Sequence, residues 1–487
     1  MQMSVGRWCL KIMKAIGRFL LLLVLASPGL ALHALILWIL FHNYAPVYNQ
    51  RLVKGPAPSS GSAQDSTAAR GLWPDRLDQD DDALVLAAIS GGGTRAAAVG
   101  WKALETLRSV PYRFTDRNGK VIESNLAHEI DLIAGISGGS FTATAWCLGT
   151  TEMDRFRKRF VERNIQCVLL RNLLTTLNGE RALFSSRYSR INLAAELYDR
   201  EVFDGKTFAA LPARPILRLH ATSLALGQRF TFTPETFAAL GSDVHSYPLG
   251  YACAASSAFP VLLDPMTLRN YEPPLNLQSD LNYLSDKQNA REDVNKDLQV
   301  KVREYYNDKR NLYIHLTDGG LVDNQGLQSI LDEFENNGLV TKRINHHAAP
   351  LRRLIIININ AGVSPPDNSA ESAKPPGEVS VLLSSTVSSM DVLSARRWMD
   401  IKSRCHDLYS AKIDVGGQTV SYGLLQEPYR IEIGFRNIRN SQDQQAAMNL
   451  PTSFSLTKAE IELIDRIVPA LVREDPEFQR LQSELGN

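Results

Sequence analysis

Three observations predict an α/β fold with a mostly parallel central sheet. Ala83-Leu-Val-Leu-Ala-Ala-Ile-Ser90 and Asp131-Leu-Ile-Ala-Gly135 are apolar runs without polar alternation, the pattern of strands covered on both faces. Each leads straight into a glycine-rich turn and then a helix-type stretch, ending near Leu107 in the first case and running over Phe141–Leu148 in the second. The two strand–turn–helix units are close enough in sequence to share one βαβ unit, which sets both turns at the carboxyl edge of one sheet.

The chain has 487 residues, enough for a large core and two or three structural units. Its net charge of +1 argues against nucleic acid as a partner. Residues 1–64 contain no Asp or Glu, while Arg7, Lys11, Lys14 and Arg18 precede the apolar run Phe19–Phe41. At about 1.5 Å per residue that run reaches roughly 34 Å, enough for a bilayer core of about 30 Å. The basic flank predicts residues 1–43 as a cytoplasmic N-terminus plus transmembrane anchor, with everything beyond on the periplasmic or lumenal side. A signal peptide cut after Gly29-Leu30-Ala31, releasing a secreted protein, is the alternative. The cysteines (Cys9, Cys147, Cys167, Cys253, Cys405) form no metal-ligand pair and read as buried thiols, with one disulfide among the last four open in an oxidising compartment.

Residues 44–82, with Gly55-Pro-Ala-Pro-Ser-Ser-Gly-Ser and an acidic cluster at Asp78–Asp82, read as a flexible linker. The folded domain is expected over 83–470. Within it, 150–212 reads as a helical, arginine-rich, lid-like region. Arg155, Arg157, Lys158, Arg159 and Arg163 alternate with Phe156, Phe160 and Val161, so this is either a solvated face or a basic lid on anionic lipid. Strands are expected at Pro215–Thr222 and Gln228–Thr233 around a Leu226-Gly227 turn, and a small-residue helix at Tyr251–Pro260. A polar surface insertion follows at 269–311. Further strands are expected at Tyr313–Thr317, Arg353–Asn360 and Tyr429–Phe435. Thr457-x-x-Glu460 is a capping box for a last amphipathic helix, and 471–487 is a C-terminal tail.

Two turns carry candidate chemistry. Gly135-Ile-Ser137-Gly-Gly139 between a strand and a helix fits a nucleophile elbow: Gly135 and Gly139 let the chain turn sharply and leave the Ser137 hydroxyl on a strained corner. Gly91-Gly92-Gly93 exposes backbone N–H groups at a helix N-terminus, an anion site suited to an oxyanion hole or to a dinucleotide phosphate.

In order along the chain, Ser90-Gly-Gly-Gly-Thr-Arg95, Gly135–Gly139, Ala254-Ala-Ser-Ser-Ala-Phe-Pro260, Asp318-Gly-Gly-Leu-Val-Asp-Asn324 and Pro451–Leu456 resemble the patatin-like phospholipase family over about residues 83–470. The resemblance implies a three-layer α/β/α sandwich and a lipid acyl hydrolase of phospholipase A or lysophospholipase type. It also implies a dyad with Ser137 as nucleophile and Asp318 as base, an oxyanion hole at Gly91, Gly92 and Gly93, and no metal or cofactor. Arg95 would steady the oxyanion loop or meet a lipid phosphate. Ala96 stands where patatins usually carry glycine, a form similar to the cytosolic phospholipase A2 branch, and Gly326 replaces a frequent proline.

Three other readings make different demands. A Ser-Asp-His triad needs His346, His347 or His406 as base. A dinucleotide-binding protein built on Gly91-x-Gly93-x-x-Ala96 needs an acid about 20 residues on, where Asp116 lies in a polar turn. A catalytically silent membrane-bound interaction protein would keep the fold without turnover.

Overall fold

The computed structural model describes residues 28–52, 83–115, 120–260, 262–271, 304–308, 310–335, 338–345, 351–363, 378–410 and 426–485, with a few shorter pieces between. Its first element, helix α1 (Pro28–Phe41), is apolar on all sides. Among the described residues no helix is long and apolar enough to cross a membrane. The first part of the expected anchor, 19–27, lies outside them, as do Asp116, His346, His347 and linker residues 53–82.

The domain opens on β1 (Ala83–Ile89), then α2 (Gly93–Arg108), β2 (Ile130–Gly135) and α3 (Gly138–Cys147). Helices α4 (Ile165–Thr175), α5 (Leu177–Phe184) and α6 (Arg190–Glu201) follow. Next come β3 (Ile216–Ser223), β4 (Gln228–Thr231), α7 (Leu249–Ser256), β5 (Met266–Arg269) and β6 (Tyr313–Thr317). The chain continues through α8 (Gly320–Asp323), α9 (Leu327–Asp332), β7 (Arg353–Asn360) and α10 (Glu378–Ser410). It closes with β8 (Tyr429–Gly434), α11 (Lys458–Glu474) and α12 (Pro476–Leu485).

The main sheet has eight strands in the order β8-β7-β1-β2-β3-β6-β5, with β4 paired to β3. From β8 to β3 all neighbours are parallel; β4, β5 and β6 pair antiparallel. The sheet is covered on both sides, which is why β1 carries no polar alternation. Val85, Ala87 and Ile89 pack into one buried cluster with α2, α3, α6, α7 and α11. Leu84, Leu86 and Ala88 pack into a second with α9 and α10, around Trp398 and Ile401. The result is helix, sheet, helix in three layers.

Three boundaries differ from the sequence reading. Residues 44–52 do not behave as linker: the Asn49 amide donates to Ser242 Oγ and to the Arg269 carbonyl, and Leu52 N–H bonds Gly241 O. Of the tail expected at 471–487, residues 471–485 are instead the end of α11 plus α12, whose Phe478 and Leu481 are buried in the larger core. The Asp475 carboxylate caps α12 by accepting from Phe478 N–H, with Pro476 at the first helical position. Of the polar insertion at 269–311, residues 272–300 lie outside the described residues, and its two ends are tied together by the Asn270 amide, which donates to the Tyr306 and Asn311 carbonyls.

In the arginine-rich stretch the arginines are held by ion pairs within the protein. Arg157 pairs with Glu162 and Asp465 and lies over the Trp101 ring, while Arg159 meets Asp204, Arg163 meets Glu201 and Arg155 meets Glu152. These cations are already matched by carboxylates. The four described cysteines, 147, 167, 253 and 405, are free thiols.

Candidate active site

The β2–α3 turn puts Ser137 at φ 49°, ψ −122°. Among the described residues only Ser137 and Asp204 combine a positive φ with a side chain. Such a conformation costs of order 1–3 kcal/mol, and the surroundings must enforce it. They do so by close approach. A Cβ on Gly135 would lie 2.7 Å from Ala143 Cβ, and one on Gly139 would lie 2.5 Å from Ser90 O, so both expected elbow glycines are required sterically. The Ser137 N–H donates to Ser256 Oγ at 2.9 Å, and Ser140 Oγ donates to Ser137 O.

Asp318 follows β6 directly and faces that corner. Ser137 Oγ donates to Asp318 Oδ2 at 2.8 Å, and Gly320 N–H donates to Oδ1 at 2.7 Å. The backbone around Asp318 is pinned: its N–H donates to Ala258 O, Gly319 N–H to Ser256 O, and Thr222 Oγ1 donates to Asp318 O. The C-terminal end of α7, with the residues just after it, therefore grips both Ser137 and Asp318. Asp318 is 3% exposed. Burial raises its carboxyl to about 6, partly opposed by the hydrogen bonds from Gly320 N–H and the Ser137 hydroxyl.

The glycine loop abuts the same corner. A Cβ on Gly138 would fall 1.9 Å from Gly93 O, and one on Gly91 would lie 3.3 Å from Ser137 Cβ. Gly91 does not offer its amide, contrary to expectation, because its N–H is committed to Asn324 O at 2.8 Å. The N–H groups of Gly92, Gly93 and Gly138 meet no acceptor among the described residues. Gly93 and Gly138 each stand at the first position of a helix, α2 and α3, where the dipole favours developing negative charge. Sequence reasoning missed Gly138, although the residue after an elbow nucleophile is a known donor position.

Residues 87–331 match the family described as patatin-like phospholipase. The chain belongs to that family. No curated protein matches it. Among solved structures it is similar to human GIVD cytosolic phospholipase A2, with a TM-score of 0.38 and 12% identity, covering 84% of this chain and 63% of that one. The same human protein in complex with methyl gamma-linolenyl fluorophosphonate gives 0.34, 12%, 84% and 59%. The chain thus spans less than two thirds of those structures.

In this patatin-like chain Arg95 is 3% exposed and serves the loop. Its Nε donates to Ala361 O, and its Nη1 donates to Leu450 O and Thr452 Oγ1. Burial without a carboxylate partner lowers its guanidinium to about 10. Next to those acceptors, Ser453 O takes the Thr94 N–H, and a Cβ on Gly93 would fall 2.5 Å from that oxygen. The Thr94 N–H at the start of α2 is thereby spent on the protein's own backbone, one donor fewer for the pyrophosphate of the dinucleotide reading.

No histidine among the described residues hydrogen-bonds Ser137 or Asp318. His406 is exposed on α10. His220 lies buried on β3, where its ring nitrogens meet Thr231 Oγ1 and Ser329 Oγ. Burial, with Arg229, Arg218 and Arg397 nearby, pushes its proton affinity well below the ordinary value. It is a packed residue. Among the described residues no group of three or more His, Cys, Asp or Glu could hold a metal ion.

Proposed function

We propose that this patatin-like protein hydrolyses carboxylic esters of lipids, in the manner of a phospholipase A or lysophospholipase, through a Ser137–Asp318 dyad. The observation that supports this most is the 2.8 Å hydrogen bond from Ser137 Oγ to a buried carboxylate. In the first half-reaction Ser137 Oγ attacks the ester carbonyl carbon as its proton passes to Asp318 Oδ2. A free aspartate, near ~3.9, is a weak base, and lifting it to about 6 raises its proton affinity toward the working range. The oxyanion of the tetrahedral intermediate is met by the N–H groups of Gly92, Gly93 and Gly138, each such donor contributing about 3 kcal/mol. Collapse breaks the bond to the alcohol, which leaves with the proton from Asp318. Water then attacks the acyl-Ser137 ester, giving one proton to Asp318, and release of the fatty acid returns that proton to Ser137 Oγ.

Ser137→Ala tests the proposal directly. Hydrolysis of a p-nitrophenyl ester should fall roughly a thousandfold, and a lipid extract should show its product only with the unsubstituted enzyme. Full activity in Ser137→Ala would overturn the dyad. The head group and acyl position would be read from the same lipid profile.

We further propose that residues 19–41 anchor the chain in a membrane, with Arg7, Lys11, Lys14 and Arg18 on the cytoplasmic side and the catalytic domain on the other. The exposed apolar side chains of α1, Ile39 and Leu40 foremost, support this reading. A protease added outside spheroplasts should digest the domain; complete protection would reverse the orientation.

A further inference from the structure

Helices α4 and α5 form a hairpin that packs Ile165, Val168 and Leu169 against the core and carries a second set of apolar side chains on its outer face. Leu170, Leu174, Leu177 and Leu183 are all exposed, Leu174 at 69%. A hairpin on the surface of a water-soluble domain normally turns such residues inward. Between Ile165 and Gly179 the sequence holds one charge, Arg171, which is exposed and has no ion-pair partner among the described residues. This separates the hairpin from the preceding arginines, whose charges are matched by carboxylates.

The hairpin is joined to α1. Arg181 on α5 lies over the rings of Phe41 and Tyr44, Ser185 Oγ donates to Tyr44 O, and Ser186 N–H donates to His42 O. Helix α1 presents Leu35 and Ile39 to the outside, and the sequence ahead of it holds the apolar residues Phe19–Ala26 and the basic residues Arg7, Lys11, Lys14 and Arg18. An exposed apolar hairpin therefore sits at the foot of an apolar helix, and Arg171 and Arg187 stand exposed at its margin. Its base also touches the candidate site's surroundings: Gln166 N–H donates to Phe454 O, next to Ser453, which seats the glycine loop.

We propose that the α4–α5 hairpin is a second membrane contact, its leucines lying in the interfacial layer of a bilayer and Arg171 and Arg187 among anionic head groups. The occupant follows from continuity with α1, from the leucine-rich, nearly uncharged surface and from the cationic margin. The proposal rests on reading the chain as a lipid ester hydrolase, and it specifies how that site meets its substrate: the glycine loop is carried to the membrane surface.

The test uses the full chain reconstituted in vesicles of equal parts phosphatidylcholine and phosphatidylglycerol. In a Cys9→Ser, Cys167→Ser background the remaining cysteines are buried, so a fluorophore can be placed on Leu174→Cys alone, with exposed Met399→Cys on α10, across the sheet from the hairpin, as the control. Lipids carrying a shallow nitroxide should quench the probe at 174 and leave that at 399 unaffected. Quenching at 174 by aqueous iodide alone, or by neither agent because another protein surface covers it, would overturn the proposal. Leu170→Ser/Leu174→Ser/Leu177→Ser should lower hydrolysis of vesicle lipid by about tenfold or more and leave hydrolysis of a soluble short-chain ester unchanged. Equal loss on both substrates would mean that the hairpin matters only for folding. If the unsubstituted enzyme cleaves neither ester, the hydrolase reading fails, while the quenching result still reports the docking.

Discussion

Asp318→Asn should weaken catalysis and strengthen the fold, and the two effects can be sized from one buried carboxyl. The structure holds Asp318 at about 6, against 3.8 in the unfolded chain. Below pH 3.8 both states are protonated and the group contributes no difference. As pH rises toward 6 the unfolded state ionises first, so stability is lost through that window and the loss is constant above it. The raised proton affinity costs about 3 kcal/mol of stability at pH 8 and about 1 kcal/mol at pH 4.5. Asparagine keeps the oxygen that accepts the Gly320 N–H and removes the charge. The variant should therefore gain stability in denaturant melts, about 2 kcal/mol more at pH 8 than at pH 4.5. Its kcat should fall by roughly 10²–10⁴-fold, the range for a lost general base. For the unsubstituted enzyme kcat/KM should rise with pH, reach half-maximum near 6 and level off above it. Activity retained within tenfold in the variant, or a flat profile from pH 4.5 to 8, would refute the assignment of Asp318 as base.

Two further substitutions probe how the corner is held. Gly138→Ala places a methyl 1.9 Å from Gly93 O, so the glycine loop must move. Activity should drop about 10²-fold with an unchanged circular dichroism spectrum, and near-normal turnover would remove Gly138 from the oxyanion site. Ser256→Ala deprives the buried Ser137 N–H of its acceptor. It should cost about 1–3 kcal/mol of stability and lower kcat roughly tenfold at unchanged KM, whereas a change in KM alone would mean that Ser256 contacts substrate instead.

The sheet was readable where burial on both faces left a signature. β1, β2 and β7 are unbroken apolar runs because helices cover them on either side, and their limits in the structure fall close to those read from the sequence. The capping box at Thr457 and Glu460 forms as the spacing implied. Helix α12 was missed although Asp475-Pro476-Glu477 is itself a helix start, with a capping carboxylate, proline first and an acid in the first turn. Residues 44–52 escaped notice because one buried Asn49 and a few backbone bonds hold them, and no periodic pattern marks such a strap.

At the site, Ser137 could be singled out from its local turn, since strand, glycines and helix are contiguous. Asp318 could not: Asp-Gly is common in ordinary turns, and only the resemblance gave it a role. Nor could three adjacent glycines reveal which amide is spent. Gly91 loses its N–H to Asn324, a partner supplied by the folded chain rather than by neighbouring sequence. Ala254–Pro260 and Pro451–Leu456 were recognisable as blocks before they had a task. The structure supplies it: the first clamps Ser137 and Asp318, and the second seats Arg95 and Gly93.

Covalent labelling reaches the central claim most directly. Treated with a serine-reactive alkyl phosphonate, the full chain should gain a single adduct, and peptide mass spectrometry should place it on Ser137. Labelling should vanish in Ser137→Ala and slow sharply in Asp318→Asn. An adduct on another residue, or no adduct in a preparation that still hydrolyses esters, would contradict the account.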